Sequence, residues 1–184
     1  LIVPRLKRGS QRLIYENLDV PTGRFRAVFH FLERWALKRT DLIIHASRFF
    51  KDLYPQSIKQ IILENKPFFP VENRMSNFNH KPLRIAYIGN IRYKNILFNL
   101  IESLRDNESW ELTLYGGGVE YEEVKAYSGG ISNVKMTGPY DYRNISKIYD
   151  NVDVIWAVYP NKDFNVKYAI SNKFFESIYL NIPG

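Results

Sequence analysis

The chain has 184 residues, a formal net charge of +7 and no cysteine. Apolar residues make up 45% of it and aromatic residues 15%, which argues against wholesale disorder and provides for a sizeable core. The lack of cysteine excludes disulfides and thiolate metal sites, and no apolar run reaches the ~20 residues that a membrane-spanning helix needs.

The first third of the chain alternates between strand and helix. Residues 12–17 predict a strand, and residues 24–39 predict a helix with an apolar stripe that includes Phe25, Val28 and Phe29.

A second strand is predicted over 41–46. It is followed by Ser47, whose side chain suits the N-cap of a short helix. Residues 58–63 predict a third strand, so the pattern is that of an α/β sheet.

Residues 65–82 lack periodicity and are rich in proline and asparagine, which is typical of a linker. We therefore place a linker at 67–81, between a first domain at 1–66 and a second at 82–184. The first domain holds 13 Lys and Arg against 6 Asp and Glu, and the remaining residues hold 13 against 13. All the excess positive charge thus lies in the first domain, which favours an anionic partner there, although a solvated surface would look the same.

The second domain has the clearer pattern. Four short apolar runs predict strands, at 83–90, 111–115, 133–137 and 152–159. Helices are predicted at 95–105, at 119–127, after Asp141 or Asn144, and at 172–180. This alternation predicts an α/β fold with a doubly wound, Rossmann-like parallel sheet, whose ligands bind beyond the carboxyl ends of the strands.

Two details of this domain follow from its apolar residues. The run at 152–159 is continuous, as in a strand that is covered on both faces. The last helix is expected to bury Phe174, Phe175 and Ile178.

The first candidate site lies where the strand at 83–90 ends and a helix begins. Gly89, Asn90, Arg92 and Lys94 all lie in this turn. Backbone N–H groups and the helix dipole favour a phosphate there, and the two cations add donors suited to a diphosphate. An ordinary turn with two solvated cations would have the same residues.

Two further strand ends carry glycine. Gly116 and Gly117 belong to a run of three glycines that permits close backbone approach, to a ligand or within a tight turn. Gly138 precedes a proline at the next strand end, where backbone groups could face a base and Tyr140 could pack nearby. A plain turn explains both segments equally well.

The fourth candidate site is the start of the last helix. Ser171 or Asn172 suits its N-cap, and Lys173 and Glu176 are three residues apart on one face. That face offers a cation for phosphate and a carboxylate that can accept two ribose hydroxyl protons. A capped helix with an internal ion pair is the ordinary alternative.

The order of these four features resembles the donor domain of retaining GT-B glycosyltransferases of the family 4 / group 1 type. The segments LIYENLD, DLIIHAS and IILEN are similar to the end of the N-terminal domain in that family. The resemblance covers nearly the whole chain. It implies that 1–66 is the C-terminal part of the acceptor-side domain and that 82–184 is most of the nucleotide-sugar donor domain.

The resemblance also implies roles for individual residues. Gly89 would contact the donor phosphates, and Lys94, together with Arg92, would hold the diphosphate. Tyr140 would lie by the nucleobase, and Glu176 would bind the ribose. On the acceptor side, Asp19 is the candidate catalytic residue.

Three positions depart from the family pattern. Leu18 stands where many relatives have histidine, Tyr168 where the first glutamate of the E-x7-E motif would be, and Asn90 replaces a customary arginine. The first two substitutions favour an alternative function, a non-catalytic nucleotide-binding or regulatory Rossmann-like domain.

Taken with the resemblance, the residues predict a hexosyltransferase that moves a sugar from a UDP- or GDP-sugar to a hydroxyl acceptor in polysaccharide or glycolipid synthesis. No paired-carboxylate motif is evident, so we expect no metal and no other cofactor. We expect this chain to be a fragment that is inactive alone.

The expected location is cytoplasmic, with peripheral contact at the inner face of the cell membrane. Many relatives glycosylate lipid-linked acceptors, so an anionic membrane is the partner we favour for the basic segment. Nucleic acid is not expected as a partner, because no recognition motif accompanies the basic charge.

Overall fold

The computed structural model describes residues 9–67 and 78–184 of the chain. The strands are β1 Ile14–Asn17, β2 Leu42–His45, β3 Lys59–Ile62, β4 Leu83–Ile88, β5 Trp110–Tyr115, β6 Val134–Gly138 and β7 Val154–Ile155. The helices are α1 Arg26–Leu37, α2 Lys94–Leu104, α3 Tyr121–Ser128, α4 Ile145–Tyr149, α5 Phe164–Tyr168 and α6 Asn172–Leu180. All strand pairs are parallel, as the alternation of elements predicts.

The described residues divide into two compact units. The first unit contains the residues up to Asn65 and the later segment Asn161–Ile170. The second unit contains Lys66–Pro160 and Ser171–Gly184. Most of the predicted linker, 68–77, lies outside the described residues.

The first unit is a three-stranded parallel sheet in the order β1-β2-β3. Ser47 caps the following 3₁₀ helix at Arg48–Leu53 as predicted, its Oγ accepting a hydrogen bond from the Phe49 N–H at 3.3 Å. The apolar stripe of α1 is only partly buried. Its last turn reaches the core through Leu37, whereas Phe25 and Phe29 near its start are exposed.

The second unit is a four-stranded parallel sheet in the order β6-β5-β4-β7, and both faces of the sheet are covered. Alternate residues of β4 point to opposite cores: Ile85 and Tyr87 pack with α2 and α3, and Ala86 and Ile88 pack with α4 and α6. This alternation is the period-two pattern of a strand in a covered sheet. The predicted doubly wound sheet is therefore confirmed.

Two local predictions about the second half of the chain were wrong. The strand predicted at 152–159 is observed only as β7, at Val154–Ile155. Among the described residues β7 pairs with a single strand, β4, and the N–H of Ile155 donates to the carbonyl of Pro183. Helix α6 buries Phe175, but Phe174 and Ile178 are exposed, because its inward face also holds Lys173 and Glu176.

No element was predicted for the segment Asn161–Ile170. It contains the unpredicted helix α5, which begins where Asp163 caps the N–H groups of Asn165 and Val166. This segment belongs to the first unit rather than to the domain at 82–184. The Asn165 side chain bonds both backbone groups of Val20, at 2.8 and 3.0 Å, which are contacts that local sequence does not reveal.

Asp153 joins the amino ends of β4 and β7. Its carboxylate accepts hydrogen bonds from the backbone and side chain of Arg84, at 2.7 to 3.0 Å, and contacts His80 at 3.0 Å. Burial alone would raise the pKa of Asp153, but the hydrogen bonds from Arg84 and His80 outweigh it and lower this pKa to about 2. The ionised carboxylate therefore stabilises the fold.

We expect Asp153→Asn to lower the free energy of unfolding at pH 7 by ~2 kcal/mol. Because the pKa is depressed below its ordinary 3.8, the contribution of Asp153 is present above pH ~4 and is lost as the pH falls through about 2. Urea unfolding of the parent chain between pH 7 and 2 should show this decline, and the variant should show less of it. Glu108→Gln, at an exposed carboxylate, is the control, and an undiminished decline in Asp153→Asn would contradict the prediction.

Candidate functional site

The carboxyl ends of β4, β5 and β6 meet in a row of glycines. The N–H of Gly89 donates to the carbonyl of Tyr115 at 2.9 Å, and the N–H of Gly116 donates to the carbonyl of Gly138 at 2.9 Å. Two residues farther along each of the first two turns, the N–H of Ile91 donates to the carbonyl of Gly117 at 2.8 Å. The structure thus brings together the glycines predicted from three separate motifs, at the edge where a parallel sheet binds ligands.

The glycines are needed because two turns pack backbone against backbone. A Cβ placed on Gly116, whose φ is +133°, would overlap the carbonyl oxygen of Gly89, and one on Gly118 would overlap Asn90 and Ile91. At Gly117 the nearest atom is the Pro139 ring, 3.1 Å away. Close backbone approach within the protein therefore requires Gly116 and Gly118, and the Asn90 side chain lies against the second of these turns.

Helix α2 begins beside two acidic residues that sequence reasoning missed. The N–H of Lys94 donates to the Glu120 carboxylate at 2.7 Å, and the Lys94 ammonium pairs with Glu123 at 2.5 Å. Hydrogen bonding to Glu123, and then its charge, raise the pKa of Lys94. The backbone N–H and the ammonium of Lys94, which were both expected to donate to phosphate, thus already have carboxylate partners. A diphosphate would have to displace these carboxylates. The acidic start of α3 was the available signal, but its partner lies 26 residues away.

Arg92 lies in the same turn as Lys94, but its side chain has no carboxylate partner among the described residues. Its guanidinium lies over the ring of Tyr93, 4.9 Å from the centroid, and Tyr93 has a left-handed backbone with φ of 63°. Arg92 is exposed and forms no ion pair with any residue in 9–67 or 78–184. Burial raises the pKa of Tyr87, and the nearby Arg92 charge opposes that rise. Of the two predicted diphosphate cations, Arg92 is the one left available to a ligand.

The start of α6 forms a buried polar cluster. Ser171 caps the helix as predicted, its Oγ accepting from the Lys173 N–H at 3.2 Å, and Asn172 is exposed. The Lys173 ammonium pairs with the Glu176 carboxylate at 2.5 Å, and both residues are buried. The predicted pairing of these two residues on one helix face is therefore present.

Two tyrosines that the sequence did not single out complete this cluster. Tyr149 donates to one Glu176 oxygen and Tyr142 donates to the other at 3.3 Å. Burial first, and the Glu176 charge second, raise the pKa of Tyr140, so this predicted nucleobase neighbour lies within electrostatic reach of Glu176. Tyr159 lies beside the helix start, 3.4 Å from Ser171 Oγ. The sequence gives no local signal for this grouping, because the tyrosines precede α6 by 12 residues or more.

The acceptor-side candidate residues lie in the first unit. Asp19 and Leu18 are both exposed and follow β1 directly. At the end of β1, Asn17 is buried and its amide contacts His45 at 3.3 Å, which in turn contacts Gln60 at 2.7 Å. Burial lowers the pKa of His45. This buried polar chain supports the backbone just before Asp19.

Tyr168 ends helix α5 in the first unit. Its carbonyl accepts a hydrogen bond from Ser47 Oγ at 2.6 Å, and its ring packs on Phe164 with centroids 4.6 Å apart. The backbone of this position is thus tied to the end of β2, and the side chain offers a ring where the family pattern has a carboxylate.

The described residues contain no group of three or more His, Asp and Glu side chains arranged to hold a metal ion. None of the helices in 9–67 and 78–184 has both the length and the apolar character that a membrane span requires. That glycosyl transfer needs no metal stays a prediction.

Several solved structures share the fold. The lipopolysaccharide outer core galactosyltransferase WaaB, in its apo form, matches with a TM-score of 0.54 and 16% identity, over 80% of this chain and 43% of that one. HepE from Anabaena in complex with UDP matches with a TM-score of 0.58 and 13% identity, over 79% of this chain and 46% of that one. The pneumococcal O-GlcNAc transferase GtfA in complex with UDP and GlcNAc matches with a TM-score of 0.53 and 13% identity, over 85% and 39%.

No protein-family model and no curated protein matches the chain. The chain spans less than half the length of each of the three structures. At these identities the likeness concerns only the arrangement of strands and helices. In this chain that arrangement is two parallel sheets, and the second sheet has glycines at the carboxyl ends of its strands. The chain therefore has the fold of the GT-B glycosyltransferases.

Proposed function

We propose that this protein is a glycosyltransferase that moves a hexose, with retention, from a nucleoside-diphosphate sugar to a hydroxyl acceptor in polysaccharide or glycolipid synthesis. The observation that carries the proposal lies in the second unit. This unit is one doubly wound sheet of GT-B type. Its turns and helices carry the row of strand-end glycines, the available Arg92 and the buried Glu176 cluster. Ligands of such sheets bind beyond the carboxyl ends of the strands.

The chemistry of the proposed reaction explains why these residues matter. A departing nucleoside diphosphate gains negative charge as the glycosidic bond breaks, and fixed donors oriented toward it lower the barrier. Arg92 suits that task, and so does Lys94 once its carboxylate partners are displaced. Removal of one such preorganised donor typically costs ~3–4 kcal/mol of transition-state stabilisation.

The first test is ligand binding by this chain. HepE and GtfA were both solved with UDP, so UDP and UDP-sugars are the first candidates, with GDP and GDP-sugars beside them. A ligand that binds only the folded state raises stability by RT ln(1 + [L]/Kd). A thermal-shift panel should single out one nucleotide class, and a panel without any shift at millimolar ligand would overturn the proposal.

We expect Lys94→Ala to weaken binding of that nucleotide ~5–10-fold, because one charge-assisted hydrogen bond to phosphate is lost. Glu123→Gln should have the opposite effect, since it frees the Lys94 ammonium from its ion pair. Isothermal titration calorimetry measures both affinities. Lys81→Ala is the matched control, because this exposed lysine precedes the opposite end of β4. An unchanged affinity in Lys94→Ala would remove Lys94 from the site.

A second candidate function is a non-catalytic nucleotide-binding or regulatory domain. Leu18 and Tyr168 favour it, because Leu18 has no polar group and Tyr168 offers a phenol rather than a carboxylate. Sugar turnover by the full-length protein distinguishes the two functions. Nucleotide binding without turnover or donor hydrolysis would support the regulatory function.

We also propose that the first unit contacts anionic lipid at the inner face of the cell membrane. Helix α1 and the residue before it expose a set of apolar side chains, namely Phe25, Val28, Phe29 and Phe31, with exposed fractions between 49 and 69%. Exposed basic residues flank them, namely Arg24, Arg26, Arg34, Lys38 and Arg39. Apolar side chains can enter the headgroup region while each nearby cation adds ~1 kcal/mol with anionic lipid.

Flotation with vesicles tests the membrane contact. The chain should float with phosphatidylglycerol-containing vesicles and not with pure phosphatidylcholine. Phe25→Ser with Phe29→Ser, four residues apart and so on one side of the helix, should weaken flotation several-fold. Leu63→Ser, an exposed apolar residue just after β3, is the control. Equal flotation with both kinds of vesicle, or with neither, would contradict the proposal.

A further inference from the structure

The two oxygens of the Glu176 carboxylate have unequal partners. Oε2 accepts from the Tyr149 hydroxyl and from the Lys173 ammonium, the latter at 2.5 Å. Oε1 accepts only from the Tyr142 hydroxyl among the residues that the structure describes, at 3.3 Å. The carboxylate itself is fully buried.

The partners of Oε2 are fixed in place. Tyr149, the last residue of α4, is fully buried in the core that α4 shares with α6. Burial beside the Glu176 charge raises its pKa, so its hydroxyl remains a donor. The Lys173 ammonium also lies 3.4 Å from the Tyr149 hydroxyl and 5.8 Å from the Tyr149 ring centroid. Oε2, Lys173 and Tyr149 therefore form a closed set that holds the carboxylate in one orientation.

The partner of Oε1 is different in both exposure and geometry. Tyr142 begins the 3₁₀ turn Tyr142–Asn144 and is 50% exposed. Burial and the nearby Glu176 charge raise its pKa to about 12, so its hydroxyl also donates at neutral pH. A carboxylate oxygen has about two lone-pair sites, so one long bond leaves Oε1 with acceptor capacity. A half-exposed side chain on a short turn moves aside more easily than a core residue.

We propose that Tyr149 and Lys173 are positioning residues that hold Oε2, and that Tyr142 is a displaceable donor that covers Oε1 until a ligand hydroxyl takes its place. This inference rests on the proposed function, and the ligand group it assigns to Oε1 is the ribose diol of a nucleoside diphosphate. The arrangement keeps a buried charge satisfied in the empty site, since an unpaired buried carboxylate would be costly. Binding then exchanges one hydroxyl donor for another.

The inference predicts opposite effects for two similar substitutions. Tyr142→Phe removes the competitor at Oε1 and should strengthen binding of UDP or GDP, whichever the parent chain prefers, ~2–5-fold. Tyr149→Phe loosens the carboxylate and should weaken binding ~5–10-fold. It should also lower the preference for that nucleotide over its 2′-deoxy form, which a merely structural role would leave unchanged.

Isothermal titration calorimetry of the parent chain and the variants gives these ratios. Tyr127→Phe is the matched control, because it removes an exposed tyrosine–glutamate hydrogen bond at Glu102, and it should leave the affinity unchanged. Circular dichroism identifies a variant that fails to fold. If Tyr149→Phe fails to fold, Tyr142→Phe still tests the inference, because Tyr142 is half-exposed. Equal or weaker binding by Tyr142→Phe, or an unchanged ribo-to-deoxy preference in folded Tyr149→Phe, would overturn the inference. A parent chain that binds neither nucleotide would overturn the proposed function and, with it, the ligand assigned to Oε1.

Discussion

Gly116→Ala is expected to lower the free energy of unfolding by ~3–5 kcal/mol, a large fraction of the ~5–15 kcal/mol of a typical domain. Two costs combine at this position. The backbone φ of +133° is strained for any residue with a side chain, and the new Cβ would overlap the carbonyl oxygen of Gly89. Because that oxygen belongs to the backbone of the neighbouring turn, it cannot rotate away. Relief requires the ends of β4 and β5 to separate.

Gly117→Ala is the matched control within the same turn. Its backbone φ is not in the left-handed range, and the nearest atom to a new Cβ is in the Pro139 ring at 3.1 Å. We expect this substitution to cost less than ~1 kcal/mol. Urea unfolding followed by circular dichroism measures both variants. If Gly116→Ala were as stable as Gly117→Ala, the two turns would not pack as the structure shows.

Glu176→Gln should lower the free energy of unfolding by ~3–5 kcal/mol, because it leaves the buried Lys173 ammonium without its counter-charge. Lys173→Met should cost less, since Tyr142 and Tyr149 would still donate to the carboxylate. The double variant should recover part of the loss, because a buried ion pair can be replaced by groups of similar volume at small cost. The coupling in this double-mutant cycle should therefore exceed ~1 kcal/mol.

The exposed pair Glu102–Arg105 is the control for this cycle. It has the same spacing of three residues on a helix and a distance of 2.7 Å, but both side chains are more than a third exposed. Removal of either charge should cost less than ~1 kcal/mol, because solvent screens the pair. Similar energies for the two pairs would show that the Lys173–Glu176 cluster is open to water.

The caps and strand ends were predictable because they depend on neighbours in sequence. Ser47 and Ser171 suit helix starts by their own side chains, and the structure has both caps. Strand ends at Gly89, Gly116 and Gly138 follow from the loss of apolar periodicity and the tolerance of glycine for tight turns. That these ends meet at one edge follows from parallel pairing, which the strand–helix alternation implied.

The partners of the charged residues were not predictable. Lys94 pairs with Glu123 because α2 and α3 lie side by side on one face of the sheet, and nothing within Lys94's own turn specifies this. The segment Asn161–Ile170 joins the first unit through Asn165 and Val20, which are 145 residues apart.

The sequence by itself determined the α/β class, the strand ends and the helix caps, because each depends on side chains a few residues apart. Only the tertiary structure decided that Lys173 and Glu176 are buried and that Tyr142 and Tyr149 divide the two carboxylate oxygens between them. Burial of a charge depends on which element packs over it, and that is set by the register and order of the strands rather than by the helix that carries the charge.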